Sequence, residues 1–336
     1  MLDVLFLTYN DWANTGWKFI QCARRLGLKC MGFKGNYHPY FYPEQTPIHP
    51  SMQDAVRMHE HAPMFKNHEL KPFAENAQII HYTSSHFIDV GLTDYFSKNI
   101  VFQHSGREYR VWHEPINELY NQIANATIIQ MPDLLGLGAK NEHLIYFPVD
   151  TDFIKPNFDR IDSKKIVVGH FPSQPELKGT ADIIEMIKDI CREKAVADRL
   201  AWHGGFDLEE YKRIFAYYDN LAMISECDIF LDTCAEIAYG KPYGEWGNTA
   251  FEAAAMGKIV ITNSLNFHHY EREYGDCELI IANTISELRE KLLDVLSWPD
   301  EKIYRKKRAS RMWVQSNHSF DATAHRLWKK VYRGLL

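Results

Sequence analysis

The sequence predicts an α/β protein of two doubly wound, Rossmann-like domains facing a cleft. Short apolar runs alternate with amphipathic stretches of about ten residues or more, the pattern of strand–helix–strand units that build a parallel sheet. The alternation comes in two successive sets, interrupted by a stretch over 148–162 with two prolines, several Asp residues and no strong periodicity. The chain has 336 residues, more than one hydrophobic core usually serves.

In the first set, Val4–Thr8 is an apolar strand, and the small-residue turn Ala13-Asn14-Thr15-Gly16 leads into a helical pattern that reaches Leu26. Gly27 ends that helix, and Lys29–Phe33 follows as a strand. Residues 36–75 are irregular and rich in Pro, His and aromatics, with one helix expected near Ser51–His61. Ile79–Tyr82, Ile100–His104, Ala126–Gln130 and Leu144–Phe147 are the remaining strands. The second set opens at Ile166–Gly169 and continues through strands at Leu200–His203, Ile229–Thr233, Ile259–Thr262 and Leu279–Ile281. Helices are expected at Thr180–Lys194, Asp207–Tyr218, Asn248–Ala255 and Ile285–Leu296. The expected domains are 1–155 and 156–317. In the last segment, 318–336, Ala324, Leu327, Trp328 and Val331 recur at helical spacing, and this helix is expected to pack back on the first domain.

Composition excludes several classes. A net charge of −6, with 24% charged and 46% hydrophobic residues, describes a core-forming globular chain rather than a disordered tail or a basic nucleic-acid coat. No run of about 18 apolar residues is present to span a membrane. The N-terminus lacks the basic region of a signal peptide. Six cysteines without a Cys-x-x-Cys pair fit reduced thiols and a cytoplasmic protein.

The most informative stretch is Tyr243-Gly244-Glu245-Trp246-Gly247-Asn248-Thr249-Ala250-Phe251-Glu252-Ala253-Ala254-Ala255-Met256-Gly257, which runs into the strand at Ile259–Thr262. A glycine turn feeding a helix leaves amide N–H groups unpaired at the positive end of the helix dipole, which suits a phosphate. Glu252, one turn inside, can accept two hydrogen bonds from a ribose diol. The same residues also describe a tight turn, an ordinary amphipathic helix and a surface glutamate.

This stretch resembles the donor-binding signature of retaining glycosyltransferases of the GT-B fold, family-4 type, in which Glu-x-x-Gly-x-x-x-x-Glu-Ala precedes a small-residue helix. Gly247, Glu252, Ala253, Met256 and Gly257 match in spacing. Aligned on Gly247, Gly244 stands at the place of the first Glu, and Glu245 follows one residue late. The resemblance implies that Glu245 approaches the donor sugar, that Glu252 holds the ribose, and that Gly247, Asn248 and Thr249 line the phosphates.

Phe147-Pro148-Val149-Asp150-Thr151-Asp152-Phe153-Ile154-Lys155-Pro156 resembles the interdomain linker of these enzymes. Asp150-Thr151-Asp152 also has the form of an Asp-x-Asp metal site, a reading rejected because linker sequence, not a nucleotide pocket, follows it. Val167 to Thr180 resembles the first strand and loop of the donor domain, where a Lys-Gly pair meets the diphosphate. That places Lys178 as the cation opposing the leaving nucleotide's charge, with Gly179 beside it. Ser173 stands where an Arg is usual, and His-x-Pro-Ser…Lys-Gly-Thr occurs in a subset of the family. Phe102 to Arg110 is similar to a His-x-Gly-x-x-x-Arg stretch, which implies that His104 meets a donor hydroxyl or the acceptor proton, and that Arg110 or Arg107 contacts phosphate. A core histidine and two surface arginines read equally well. Gly16 lies in a turn that matches the family's first loop. His203, in Trp202-His203-Gly204-Gly205, ends a strand near the expected base.

Histidines at His59-Glu60-His61 and His268-His269 lack metal-ligand spacing and are read as solvated. So is the basic run over 302–311. No metal and no cofactor are expected, the nucleotide-diphosphate sugar being a co-substrate. The resemblance thus implies a glycosyltransferase, hexosyl- or pentosyl-, acting with retention, with residues 1–155 on the acceptor side and 156–317 binding the donor. Three acceptors stay open: a glycan, a lipid-linked sugar, or a modified DNA base, the last disfavoured by net acidity. Two other functions stay open as well: a nucleotide-sugar epimerase or hydrolase, and a non-catalytic nucleotide-sugar-binding protein.

Overall fold

A computed structural model describes residues 1–52, 64–159, 164–212, 215–238 and 240–336. The helix expected near Ser51–His61, with its His59-Glu60-His61 triplet, lies outside the described residues from position 53 onward. Contacts divide the chain into two compact units, Met1–Pro148 with His318–Leu336, and Val149–Asn317. The division falls earlier than the expected 155/156.

The first unit is built on strands β1 (Leu2–Thr8), β2 (Cys30–Lys34), β3 (Met64–Lys66), β4 (Ala77–Tyr82), β5 (Phe87–Asp89), β6 (Asn99–His104), β7 (Ala126–Ile129) and β8 (Glu142–Leu144). Its six-stranded sheet runs β2-β1-β4-β6-β7-β8 with every pair parallel. Helices α1 (Thr15–Arg25), α2 (Lys71–Glu75) and α3 (Arg107–Ile123) belong to this unit. The last strand occupies Glu142–Leu144 instead of the expected Leu144–Phe147. The apolar run Ile145–Phe147 is buried beyond the ladder, with the Ile145 amide bonded to the Ile129 carbonyl at 3.0 Å.

Strand alternation splits β1 between two cores, because successive side chains point to opposite faces. Leu5 and Leu7 join Ile80, Phe102 and Tyr120 on one side. Val4 and Phe6 join Phe19 and Ile20 of α1 on the other, together with Phe320, Ala324 and Leu327 from the C-terminal helix Phe320–Lys330. There the buried His81 imidazole lies 2.6 Å from the Tyr332 hydroxyl, and burial holds that imidazole neutral by lowering its pKa to about 3.

In the second unit the strands are β9 (Ile166–Gly169), β10 (Leu200–His203), β11 (Ile229–Leu231), β12 (Ile237–Ala238), β13 (Lys241–Pro242), β14 (Ile259–Thr262) and β15 (Ile280–Ile281). The main sheet is parallel, in the order β10-β9-β11-β14-β15. Helices α4 (Thr180–Arg192), α5 (Lys194–Ala197), α6 (Tyr217–Ser225), α7 (Asn248–Ala255), α8 (Phe267–Tyr274), α9 (Ile285–Ser297) and α10 (Asp300–Asn317) complete it. The helix expected over Asp207–Tyr218 is instead a 3-10 segment, Leu208–Lys212, followed by α6.

The basic run expected to be a solvated face is part of α10; Lys302, Arg305 and Arg308 are exposed as expected, but the expectation is corrected for Lys307 and Arg311, which turn inward. Lys307 is fully buried, with its ammonium 3.1 Å from Asp228 and 2.9 Å from the Phe158 carbonyl. Arg311 donates to the carbonyls of Thr151, Ile154 and Ala255. A polar stripe along the helix therefore anchors loops of its own unit.

Both sheets are doubly wound. The chain leaves β1 to one side for β2 and to the other for β4, and likewise leaves β9 for β10 and β11. Each reversal opens a crevice at the carboxyl ends of the strands, where open α/β sheets bind ligands.

Candidate functional site

The crevice of the second sheet lies between β9 and β11. Beyond β9, a 3-10 turn, Pro175–Lys178, ends in Gly179 with φ of +70°, and α4 starts at once. A side chain at Gly179 would collide with the Cys234 carbonyl, so glycine is required both for the left-handed turn and for the close approach. The Cys234 amide in turn donates to the Lys178 carbonyl at 3.1 Å. The Lys-Gly pair is thus clamped by main chain to the segment leaving β11.

That clamp aims the Lys178 side chain. Its Nζ lies 2.9 Å from Asp232 Oδ1 and 2.6 Å from Thr233 Oγ1. The other Asp232 oxygen accepts from the Gly247 amide at 3.1 Å, from Thr233 at 3.1 Å and from Thr262 at 3.2 Å. Burial alone would push the Asp232 carboxyl up, but the Lys178 charge and these hydrogen bonds outweigh it and hold the pKa below the ordinary carboxylate value. The side chain of Lys178 is 15% exposed and that of Asp232 1%, so the positive end of the pair faces outward. Two of the three ammonium N–H groups serve Asp232 and Thr233, which leaves one donor for a ligand.

Gly247 is the N-cap of α7, in extended backbone and without a side-chain cap. A Cβ there would lie 2.9 Å from Lys178 Nζ, so the ammonium stands over the start of this helix. Helix geometry leaves the Asn248 and Thr249 amides without intrahelical partners at the positive end of the dipole. Lys178, Gly179, Gly247, Asn248 and Thr249 are therefore gathered at one point.

Glu252 is buried within the same helix. Its Oε1 accepts from Asn248 Nδ2 at 2.7 Å and from the Tyr217 hydroxyl at 3.1 Å. Glu245 is also buried, and it braces the loop after β14: Oε2 accepts from Ser264 at 3.1 Å, and Oε1 accepts from the side chain of Asn266 at 2.9 Å and its amide at 3.3 Å. The one-residue offset in sequence thus accompanies a carboxylate engaged in holding the neighbouring loop after β14. Ser173 is an exposed loop residue. His203 is partly exposed, edge-on to Phe171 with centroids 5.0 Å apart and its Nδ1 3.5 Å from Glu226.

The expected site residues of the first unit are engaged within that unit. His104 is buried and stacked on Tyr109 at 3.9 Å, with Nδ1 3.2 Å from Ser85 Oγ, and burial lowers its pKa to about 3. Its surroundings are those of a neutral histidine packed within its own unit. Arg110 is paired with Asp133 at 2.5 Å. The Gly16 amide donates to the buried Asp11 carboxylate, also at 2.5 Å. Asp150 shapes a turn, its Oδ1 accepting from the Asp152 and Phe153 amides. Among the described residues no group of three His, Cys, Asp or Glu is placed to hold a metal, and no helix is long and apolar enough to cross a membrane.

Asp232 and Thr233 escaped the sequence reading, and His170, the first residue of the His-x-Pro-Ser motif, was given no role of its own. His170 bridges the two strand ends, its Nδ1 2.8 Å from the Leu231 carbonyl and its Nε2 2.9 Å from Thr180 Oγ1. Burial lowers its pKa to about 4, so it spans the crevice as a neutral ring. The signal available for Asp232 was an acid at the carboxyl end of an apolar run, beside the switch point of the sheet.

No protein-family model matches this sequence, and no curated protein matches it. Solved structures match it over nearly its whole length. HepE of Anabaena, in complex with UDP and glucose, superposes with a TM-score of 0.64 at 11% identity, over 99% of this chain and 100% of that one. Sucrose-phosphate synthase of Thermosynechococcus elongatus gives 0.60 at 13% identity, over 99% of each chain. A putative UDP-N-acetylglucosamine 2-epimerase of Listeria monocytogenes gives 0.57 at 13% identity, over 97% of this chain and 94% of that one. At such identities the likeness establishes the fold, which is GT-B.

Proposed function

We propose that this protein transfers a sugar from a nucleoside-diphosphate sugar to an acceptor with retention of anomeric configuration, the second unit holding the donor. The observation that carries the proposal is the Lys178 ammonium standing over the N-terminus of α7. A pyrophosphate seated there meets the third N–H of Lys178 and the amides of Asn248 and Thr249. All these donors are held in place before reaction, so they stabilise the charge that grows on the departing diphosphate without reorganising. Asp232 is a positioning residue: it orients the ammonium and touches no reacting atom. Glu252 anchors the ribose through hydroxyls that its carboxylate accepts. HepE supports this reading, since its structure contains UDP and glucose on the same fold.

Departure of the nucleotide and attack of the acceptor take place on one face of the sugar, with a phosphate oxygen of the leaving group taking the acceptor proton. The buried, neutral His104 is assigned no proton transfer. The likeness to a putative epimerase favours a second reading, in which the donor is converted without an acceptor.

A screen of nucleotide sugars, scored by nucleotide release with and without added glycans, separates the two readings. Acceptor-dependent release with a retained anomeric linkage, read by proton NMR of the product, is expected. Conversion that needs no acceptor overturns the transferase reading, and absence of nucleotide binding overturns both.

A further inference from the structure

His170 stands directly beyond β9 and is fully buried, and its two ring nitrogens meet two different elements. The start of this residue is fixed by the sheet, since Gly169 pairs with His203 on one side and Phe230 on the other. Nδ1 lies 2.8 Å from the Leu231 carbonyl, and Nε2 lies 2.9 Å from Thr180 Oγ1. A carbonyl only accepts, so Nδ1 carries the ring proton. The neutral ring keeps one lone pair, on Nε2, and the Thr180 hydroxyl donates to it. Burial favours this neutral form. With both nitrogens engaged and no face open to solvent, the imidazole is placed to hold protein groups and not to touch a substrate.

Its two partners flank an ion pair already described. Leu231 ends β11 and immediately precedes Asp232. Thr180 opens α4 and follows Lys178 by two positions, across Gly179. The ring therefore spans the same gap that the ammonium and carboxylate close at 2.9 Å. On the other flank the Cys234 amide donates to the Lys178 carbonyl at 3.1 Å.

The turn that carries Lys178 depends on such braces. None of its residues, Pro175–Lys178, is buried, so side-chain packing does little to fix it. Gly179 has no side chain and a backbone free to take either hand. Thr180 is the first fully buried residue after Lys178, and its hydroxyl is tied to His170.

We infer that His170 is a positioning residue for Lys178: its ring ties Thr180 to Leu231 and so holds the turn that carries the ammonium opposite Asp232. The brace is a property of the second unit itself, whereas its effect on nucleotide affinity rests on the donor reading above.

Thr180→Val, Thr180→Ser, His170→Leu and His170→Gln, each in the full chain, test the assignment. Two readouts are taken. One is the Cε signal of Lys178 in protein carrying isotope-labelled lysine, assigned with Lys178→Arg. The other is affinity for uridine diphosphate by calorimetry. Thr180→Val keeps the shape of the side chain and removes the hydroxyl. It should shift the Lys178 signal and weaken uridine diphosphate about three- to tenfold, the worth of about one hydrogen bond. Thr180→Ser keeps the hydroxyl and should restore both. His170→Leu should weaken binding at least as much as Thr180→Val. Combining these two should add little, because they remove the same hydrogen bond. His170→Gln retains one donor and one acceptor and should recover part of the loss.

An unmoved Lys178 signal in Thr180→Val overturns the inference, whatever its melting temperature. Equal binding of uridine diphosphate by Thr180→Val and a binding-competent parent overturns it too, as does full additivity with His170→Leu. Should His170→Leu not fold, Thr180→Val against Thr180→Ser decides alone. A Lys178 signal that moves as expected, in a parent that binds no uridine diphosphate, leaves the brace standing and overturns the donor reading instead.

Discussion

Lys178 and Asp232 meet across the switch point of the second sheet, one carried by the turn after β9 and the other by the end of β11, with 2.9 Å between ammonium and carboxylate. The contact ties the cation expected to meet the donor to an anion nearly without solvent, so this lysine supports the fold as well as the chemistry.

Replacing Lys178 by Met should therefore cost the second unit about 3 kcal/mol, the low end for stranding one member of a buried pair. Urea denaturation of the full chain measures it. The double variant Lys178→Met/Asp232→Leu should recover part of the loss while nucleotide binding stays absent. Full stability in Lys178→Met alone rules out the coupling.

Gly247→Ala gives a milder route to the same site. Its backbone is extended and accepts a side chain, but the new methyl would sit 2.9 Å from Nζ and push the ammonium off the helix start. Nucleotide affinity is expected to fall about tenfold, roughly 1.4 kcal/mol, with a smaller change in melting temperature. Unchanged affinity by calorimetry argues that nothing binds between Lys178 and α7.

Acid should act on the pair with a definite sign. The folded-state pKa of Asp232 lies below its unfolded value, so its contribution is whole above about pH 4 and is lost as pH falls through the folded value. Asp232→Asn should be less stable at neutral pH and show a shallower loss on acidification. Asp11, whose pKa burial raises, works the other way and opposes folding more as pH rises through its unfolded and then its folded value. Denaturant midpoints from pH 3 to 7 test both assignments.

Glu252 and Tyr217 allow the ribose contact to be separated from packing. Glu252→Gln should raise the KM for the donor sharply. Tyr217→Phe removes one hydrogen bond to the carboxylate and should raise it only a few-fold. Equal and large effects on thermal stability with no change in KM would assign the carboxylate to packing alone.

Lys307→Met should cost about 3 kcal/mol, because the buried Asp228 carboxylate would lose the ammonium 3.1 Å from it. A change within about 0.5 kcal/mol in urea unfolding contradicts this.

The sequence made some parts of this architecture legible and hid others, for physical reasons. The helix Asn248–Ala255 was readable to the residue, since a glycine precedes it and a Met-Gly pair follows it. Strands such as Ile166–Gly169 and Ile259–Thr262 stood out because both faces of a parallel sheet are buried, and their sequences are continuously apolar. Helix α10 was obscured by its own chemistry: Lys307 occupies an inward position where an apolar residue is expected, and the charge pattern imitates a solvated face. Asp232 was invisible for a related reason. Its meaning depends on Lys178, 54 positions earlier, and the spacing gives no hint that the two touch. His104 and Arg110 show the converse, residue types suited to chemistry whose partners, Tyr109 and Asp133, come from the packing of their own unit.

The seating of Tyr332 against His81 bears on how this polypeptide matures at the ribosome. The strands of the first unit emerge early, yet one side of their sheet is covered by residues 318–336, which are made after the whole second unit. The unit that begins folding first is thus sealed only after the second unit has been made, and until residues 318–336 emerge Phe19, Ile79 and Val101 lack part of their cover. A nascent chain halted before residue 318 should bind chaperones through that bare flank, and truncation at Pro148 should yield aggregates in place of an isolated half.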